Sequence, residues 1–197
     1  MMKEQIMTKY NAILIAIVGL PLLAATSSAQ VTNICCPVLP ATRLEALETN
    51  TGIVIVKGVT LTGSLSASDG TVAVACKMNT DAAGRRESGI RIDISLSGLN
   101  EEKLVIDYDE LDSMLRAIDT LSRVDWTVTP LSSFNAFYAT KSGFRITAAG
   151  HRRLGVIEYS ISAGESAKSM MLTQGQLTQL SALITQAKKT LDSVGTQ

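Results

Sequence analysis

Two segments, residues 106–121 (IDYDELDSMLRAIDTL) and 172–187 (LTQGQLTQLSALITQA), carry the same helix-start code 66 residues apart. In the first, Asp107 precedes Glu110 by three positions, the spacing at which two side chains reciprocally satisfy orphan backbone donors. Ile106 and Leu111 flank them as a hydrophobic staple. Leu111, Met114, Leu115, Ile118 and Leu121 follow at helical spacing and form one apolar stripe. In the second segment Thr173 stands for Asp107, Gln176 for Glu110, Leu172 for Ile106, Leu177 for Leu111, Leu180 for Met114 and Ile184 for Ile118. A cap, a box partner, a staple and core positions coinciding at one offset predict an internal duplication.

What precedes each helix reads as β-structure. Residues 53–61, 71–78 and 89–96 are rich in β-branched side chains, and Ser68-Asp69-Gly70 is a turn between the first two. Ile90, Ile92, Ile94 and Leu96 alternate with Arg91, Asp93 and Ser95, the pattern of a strand with one buried face. Residues 103–106 supply a fourth strand, and the polar stretch 79–88 reads as a long exposed connection. Ahead of the second helix, strands are expected at 126–129, 134–140, 144–148, 154–162 and 168–172, with a hairpin turn at Lys141-Ser142-Gly143. The fold class is α+β: two similar antiparallel-sheet-plus-helix units, approximately β-β-β-β-α twice, whose helices cover apolar sheet faces. A looser echo pairs residues 88–92 with 142–146 at an offset of 54. The expected core comprises Val54, Val56, Val72, Val74, Ile90, Ile92, Ile94, Leu111, Ile118, Ile157, Tyr159, Leu177, Leu180 and Ile184.

The units are expected at 51–123 and 124–193, followed by a tail at 194–197 and preceded by an arm at 30–50. In that arm Pro37 and Pro40 interrupt regular structure, and Leu44 and Leu47 share a face of a short helix. Residues 1–29 have the order of a secretory signal peptide: Lys3 and Lys9, an apolar run from Ala12 to Ala25, then small residues ending at Ala29. That run is shorter than the ~20 residues a spanning helix needs, and Gly19 and Pro21 interrupt it. The expected location is periplasmic or secreted, with no membrane attachment after cleavage.

Charge and aromatic content narrow the partners. Removing Lys3, Lys9 and Glu4 from 18 basic and 18 acidic residues leaves 16 and 17. A near-neutral chain with 4% aromatic residues lacks the basic surface and stacking platforms of a nucleic-acid binder, so no nucleic acid is expected. The three cysteines, Cys35, Cys36 and Cys76, leave an odd thiol in an oxidising compartment. Two arrangements stay open: a disulfide joining Cys76 to Cys35 or Cys36, or three reduced thiols. No metal and no cofactor are expected, because Cys35-Cys36 has no spacer, His151 is the only histidine and phosphate-binding glycine loops are missing.

No catalytic constellation emerges. The acidic run Asp107, Asp109, Glu110, Asp112 and Asp119 reads as a solvated helix start rather than an acid/base pair. A hydrolase using His151 with Ser160, Ser162 or Ser166 lacks the Gly-x-Ser-x-Gly turn. The chain therefore reads as a non-enzymatic structural or binding module, with homodimer formation through an edge strand as its mode of action. The alternative is a protein binding a small anionic ligand or glycan. For it, Arg85, Arg86, Arg152 and Arg153 in the loops of the two units would form an anion rim, or Tyr138, Tyr159 or Trp126 would share a concave patch with exposed arginines.

Overall fold

The computed structural model describes residues 39–164 and 168–195. The expected signal peptide, Cys35 and Cys36, Ser166 and the end of the expected tail lie outside them. A short helix, α1 (Arg43–Glu48), precedes β1 (Ile55–Ala67), β2 (Gly70–Asp81), β3 (Arg86–Leu96) and β4 (Glu102–Asp107). A 3-10 turn at Tyr108–Glu110 leads into α2 (Leu111–Ser122). Then follow β5 (Ser133–Ala139), β6 (Phe144–His151), β7 (Val156–Ala163), β8 (Met170–Leu172) and α3 (Gln174–Gly195). The strands form two antiparallel four-stranded sheets, β1-β2-β3-β4 and β5-β6-β7-β8. The chain is thus an α+β fold with an internal two-fold repeat of β-β-β-β-α.

Each helix covers the sheet of the other repeat. α2 packs on β5 and β6, and α3 packs on β1, β2 and β3. Ser113 Oγ on α2 lies 3.0 Å from Tyr138 Oη on β5. Cys76 Sγ on β2 donates to the Ala187 carbonyl of α3 at 3.4 Å, and Gln176 Nε2 donates to the Ser66 carbonyl at 2.8 Å. The helices run antiparallel against one another, joined by Lys188 to Asp112 at 3.6 Å and by Gln174 Nε2 to the Ser122 carbonyl at 3.2 Å. Tyr108 Oη also donates to Asp192. The consequence is one hydrophobic core, in which Val72, Val74, Ile90, Ile92, Leu111, Met114, Ile118, Phe144, Ile146, Leu177, Leu180 and Ile184 are all at most 2% exposed.

Several expectations change in the structure. Val54 and Val56, assigned to the core, are 71% and 65% exposed: Val54 precedes β1, and Val56 lies near the start of that edge strand. Ile157 is half-buried. The polar stretch 79–88 is mostly strand: Asn79 pairs with Glu87 and Thr80 with Arg86, leaving a tight turn at 82–85. Regular ladder pairing there satisfies the backbone whatever the side chains are. Residues 126–129 form no strand, since the Arg152 guanidinium bonds the carbonyls of Trp126 and Thr129 at 2.7 and 2.8 Å. The 54-residue echo is not a structural equivalence, because 88–92 lies in β3 whereas Phe144 opens β6, the second strand of its sheet.

The helix starts also differ. Thr173 and Gln176 make the expected box, with Gln176 N donating to Thr173 Oγ1 at 3.2 Å and Thr173 N to Gln176 Oε1 at 2.8 Å. Asp107 and Glu110 do not. The Asp107 carboxylate, 2% exposed, instead accepts from the backbone N–H groups of Arg43 and Leu44 at 2.8 and 3.2 Å, and so caps α1. Glu110 Oε1 accepts from Lys141 N in the β5–β6 turn at 3.1 Å.

α1 lies on the outer face of the first sheet, with Leu44 and Leu47 fully buried. Its last residue, Glu48, accepts from Lys77 at 2.5 Å, Lys57 at 2.9 Å and Asn79 Nδ2 at 2.7 Å. Burial pushes the Glu48 carboxyl up, but the hydrogen bonds from Lys77, Lys57 and Asn79 outweigh it and hold the pKa at about 2. These partners also offset the unfavourable placement of an acid at a helix C-terminus.

Candidate functional site

Antiparallel pairing leaves four sheet edges, and they are unequally protected. β8 has three residues, β4 carries Glu102 and Lys103, and the exposed Phe137 of β5 is covered by the Arg145 guanidinium 4.0 Å from its ring centroid. β1 is different: it spans 13 residues and pairs only with β2 among the described strands. Charges, bulges, short length and proline are the usual guards of an edge, and β1 has a register shift between Leu61 and Gly63 and gives its Ser66 carbonyl to Gln176, so its open run is residues 55–61. The sole charge of β1, Lys57, is already paired with Glu48.

This edge presents Val59 and Leu61 beside Lys57 on its outer face, and Val56, Gly58 and Thr60 toward α3. Val59 pairs with Lys77 and Leu61 with Ala75 toward the outer face, where they are 46% and 65% exposed. Thr60 pairs with Cys76 and Gly58 with Met78 toward the α3 side. There, a groove of about 270 Å³ lies along the strand, lined by Gly58, Thr60, Met78, Thr190, Leu191 and Val194. Gly58 leaves it open at the middle, since a Cβ there would touch only the Met78 carbonyl, at 3.6 Å. The groove matches what strand addition requires, namely free backbone groups along an edge and a pocket for alternate side chains.

The residues named from the sequence are distributed elsewhere. Arg85 and Arg86 flank the β2–β3 turn, where Arg85 pairs with Asp81 at 3.6 Å. That end of the sheet lies by the last turns of α3, as Met78 lines the groove with Thr190 and Leu191. Arg152 and Arg153 lie in the β6–β7 turn, which meets α3 at its start through Gly155 and Gln174. Positions 174 and 190 of one helix stand ~25 Å apart at 1.5 Å per residue. The structure therefore does not bring the two arginine pairs into one rim, and Arg152 is engaged in pinning the segment before β5.

His151 closes β6 and is exposed beside Ser132, Arg153 and Leu154. Ser160 pairs with Thr147, four residues along β6 from His151, so ~13 Å separates them. Ser162 is buried and donates to the Gly164 carbonyl at 2.8 Å. Neither serine is within proton-transfer reach of this imidazole. Asp112 and Asp119 are exposed on α2.

Cys76 is a buried thiol without a disulfide partner among the described residues; both cysteines expected to pair with it lie outside them. Among the described residues no cluster of His, Cys, Asp and Glu has the arrangement of a metal site, and no helix is long and apolar enough to cross a membrane.

The exposure of β1 was missed from sequence because β-branched alternation reads as core. A signal was nevertheless present: the run from Ile53 to Leu61 is apolar in both parities, unlike the one-sided alternation of 90–96. No family model, no curated protein and no solved structure matches the chain.

Proposed function

We propose that the protein is an exported, non-enzymatic structural module, periplasmic or secreted, that acts by self-association through β1. The observation that carries this reading is the open first half of an edge strand, residues 55–61, with Val56, Val59 and Leu61 46–65% exposed. A second copy is the occupant because β1 is self-complementary. Antiparallel pairing centred on Gly58 places Val56 opposite Thr60 and Lys57 opposite Val59, so no like charges meet. The two four-stranded sheets then join into one of eight strands, with an isologous two-fold interface. The Gly58 groove receives side chains of the partner strand.

Sedimentation analysis of the purified mature protein tests this. Wild type is expected to be a concentration-dependent dimer and Val56→Lys a monomer. Because Val56 is 65% exposed, the substitution is expected to change folding stability by no more than ~0.5 kcal/mol. A wild type that stays monomeric, or a Val56→Lys variant that dimerises equally well, would remove the proposal. Mass measurement of the exported form provides a separate check, with Gln30 expected as its first residue.

A further inference from the structure

A second concavity lies at the other end of α3, where α2 ends and α3 begins. It encloses about 410 Å³, within the ~300–1,000 Å³ range of small-molecule sites. Both repeats build it: Ser122 and Arg123 come from the end of α2, Trp126 from the following segment, Tyr159 from β7, and Thr173 and Gln174 from the start of α3.

The site is assembled in advance. Tyr159 is 7% exposed, and its hydroxyl donates to the Ser122 carbonyl at 3.5 Å, which also accepts from Gln174 Nε2. Trp126 is held by its carbonyl on Arg152 and by edge-on packing against Phe134, with ring centroids 5.5 Å apart. Phe134 sits directly over Gly150, where a Cβ would stand 2.3 Å from the ring. Gly155, at φ +64°, has no atom within 4 Å of where a Cβ would be, so the cleft stays open on the hairpin side.

The Tyr159, Ser122 and Thr173 hydroxyls are spent on the Ser122 carbonyl, the Asp119 carbonyl and Gln176 Oε1, whereas an indole face, the Gln174 carboxamide and one guanidinium suit a sugar ring. Its apolar face stacks on an aromatic side chain, while its hydroxyls take the polar groups. The single cation, Arg123, adds a preference for a carboxylate, which a guanidinium binds through two parallel hydrogen bonds. Its present partner is Asp119 in an exposed i,i+4 pair, which solvent screens and a ligand carboxylate readily replaces. A phosphate fits less well. The start of α3 spends Gln176 N on Thr173 Oγ1 and Leu177 N on the Thr173 carbonyl, and no second cation lines the cleft.

The geometry points to a binding site for a short acidic glycan, with a uronate carboxylate on Arg123 and a sugar ring on Trp126. This site is independent of the β1 edge. Trp126 is the only tryptophan, so its fluorescence reports directly on the cleft. Titration of the full mature protein with trigalacturonate is expected to give a saturable change. Neutral galactotriose, and trigalacturonate on Arg123→Gln, are expected to bind at least about tenfold more weakly. Arg85→Gln, at the opposite end of α3, leaves binding unchanged. No saturable response up to about 10 mM, equal binding of both sugars, an unaffected Arg123→Gln, or equal losses in Arg123→Gln and Arg85→Gln would each overturn the inference.

Discussion

The two repeats begin their helices with the same residue spacing and use it in opposite ways. At α3, Thr173 and Gln176 close a local box. At α2, Asp107 reaches back 64 residues to cap α1, and Glu110 reaches forward 31 residues to the β5–β6 turn. A carboxylate accepts more hydrogen bonds than a neutral side chain, and binds backbone donors more strongly when buried. In the first repeat that capacity fastens distant parts of the fold. The helix it leaves without a box still forms, because α2 is held by its apolar stripe and not by its cap.

This contrast predicts unequal costs. Asp107→Ala removes two charge-assisted bonds at a buried site and is expected to lower stability by about 3 kcal/mol in urea unfolding. Hydrogen exchange should locate the damage in α1 (Arg43–Glu48), with α3 still protected. Loss of protection in α2 instead would mean that Asp107 serves its own helix after all.

Glu48 holds the other end of α1, and its effect is expected to depend on pH. Its folded pKa of about 2 lies below the ordinary 4.5, so its contribution is complete above pH 4.5 and fades as pH falls toward 2. Glu48→Gln is expected to melt ~5 °C lower than wild type at pH 7, with the gap closing by pH 2. A gap that persists at pH 2 would assign the effect to packing and not to charge.

The smallest effect belongs to the local box. Thr173→Ala is expected to cost about 1 kcal/mol, with no change in α1 protection. A cost equal to that of Asp107→Ala would erase the distinction between the repeats.

How much was legible beforehand varied with the kind of element. The helical stripes were read correctly, down to Leu111, Met114 and Ile118 in one and Leu177, Leu180 and Ile184 in the other, all at most 2% exposed. A period of 3.6 leaves little choice of buried face. Val56 and Val74 could not be told apart in the same way. Both sit in β-branched runs, yet one is 65% exposed and the other fully buried. Being an edge is a property of strand order, which no local pattern encodes.

The candidate sites show the same limit. Of Tyr138, Tyr159 and Trp126, the aromatics expected beside exposed arginines, the fold places Tyr159 and Trp126 with Arg123 in one cleft and Tyr138 against Ser113 of α2. The arginine pairs were matched by their loops, but antiparallel helices put those loops at opposite ends of α3. Residue type was readable, whereas proximity was not.

By itself the sequence determined the duplication, the sheet-then-helix order of each repeat and the buried faces of both helices, because apolar periodicity acts within a few residues. Only the tertiary structure decided that each helix crosses to the other repeat's sheet, that Asp107 caps α1 and that β1 is left open. Those outcomes depend on which apolar faces meet after the chain has folded back on itself. Pairing across tens of residues is selected by the whole core together, and no short segment carries the instruction for it.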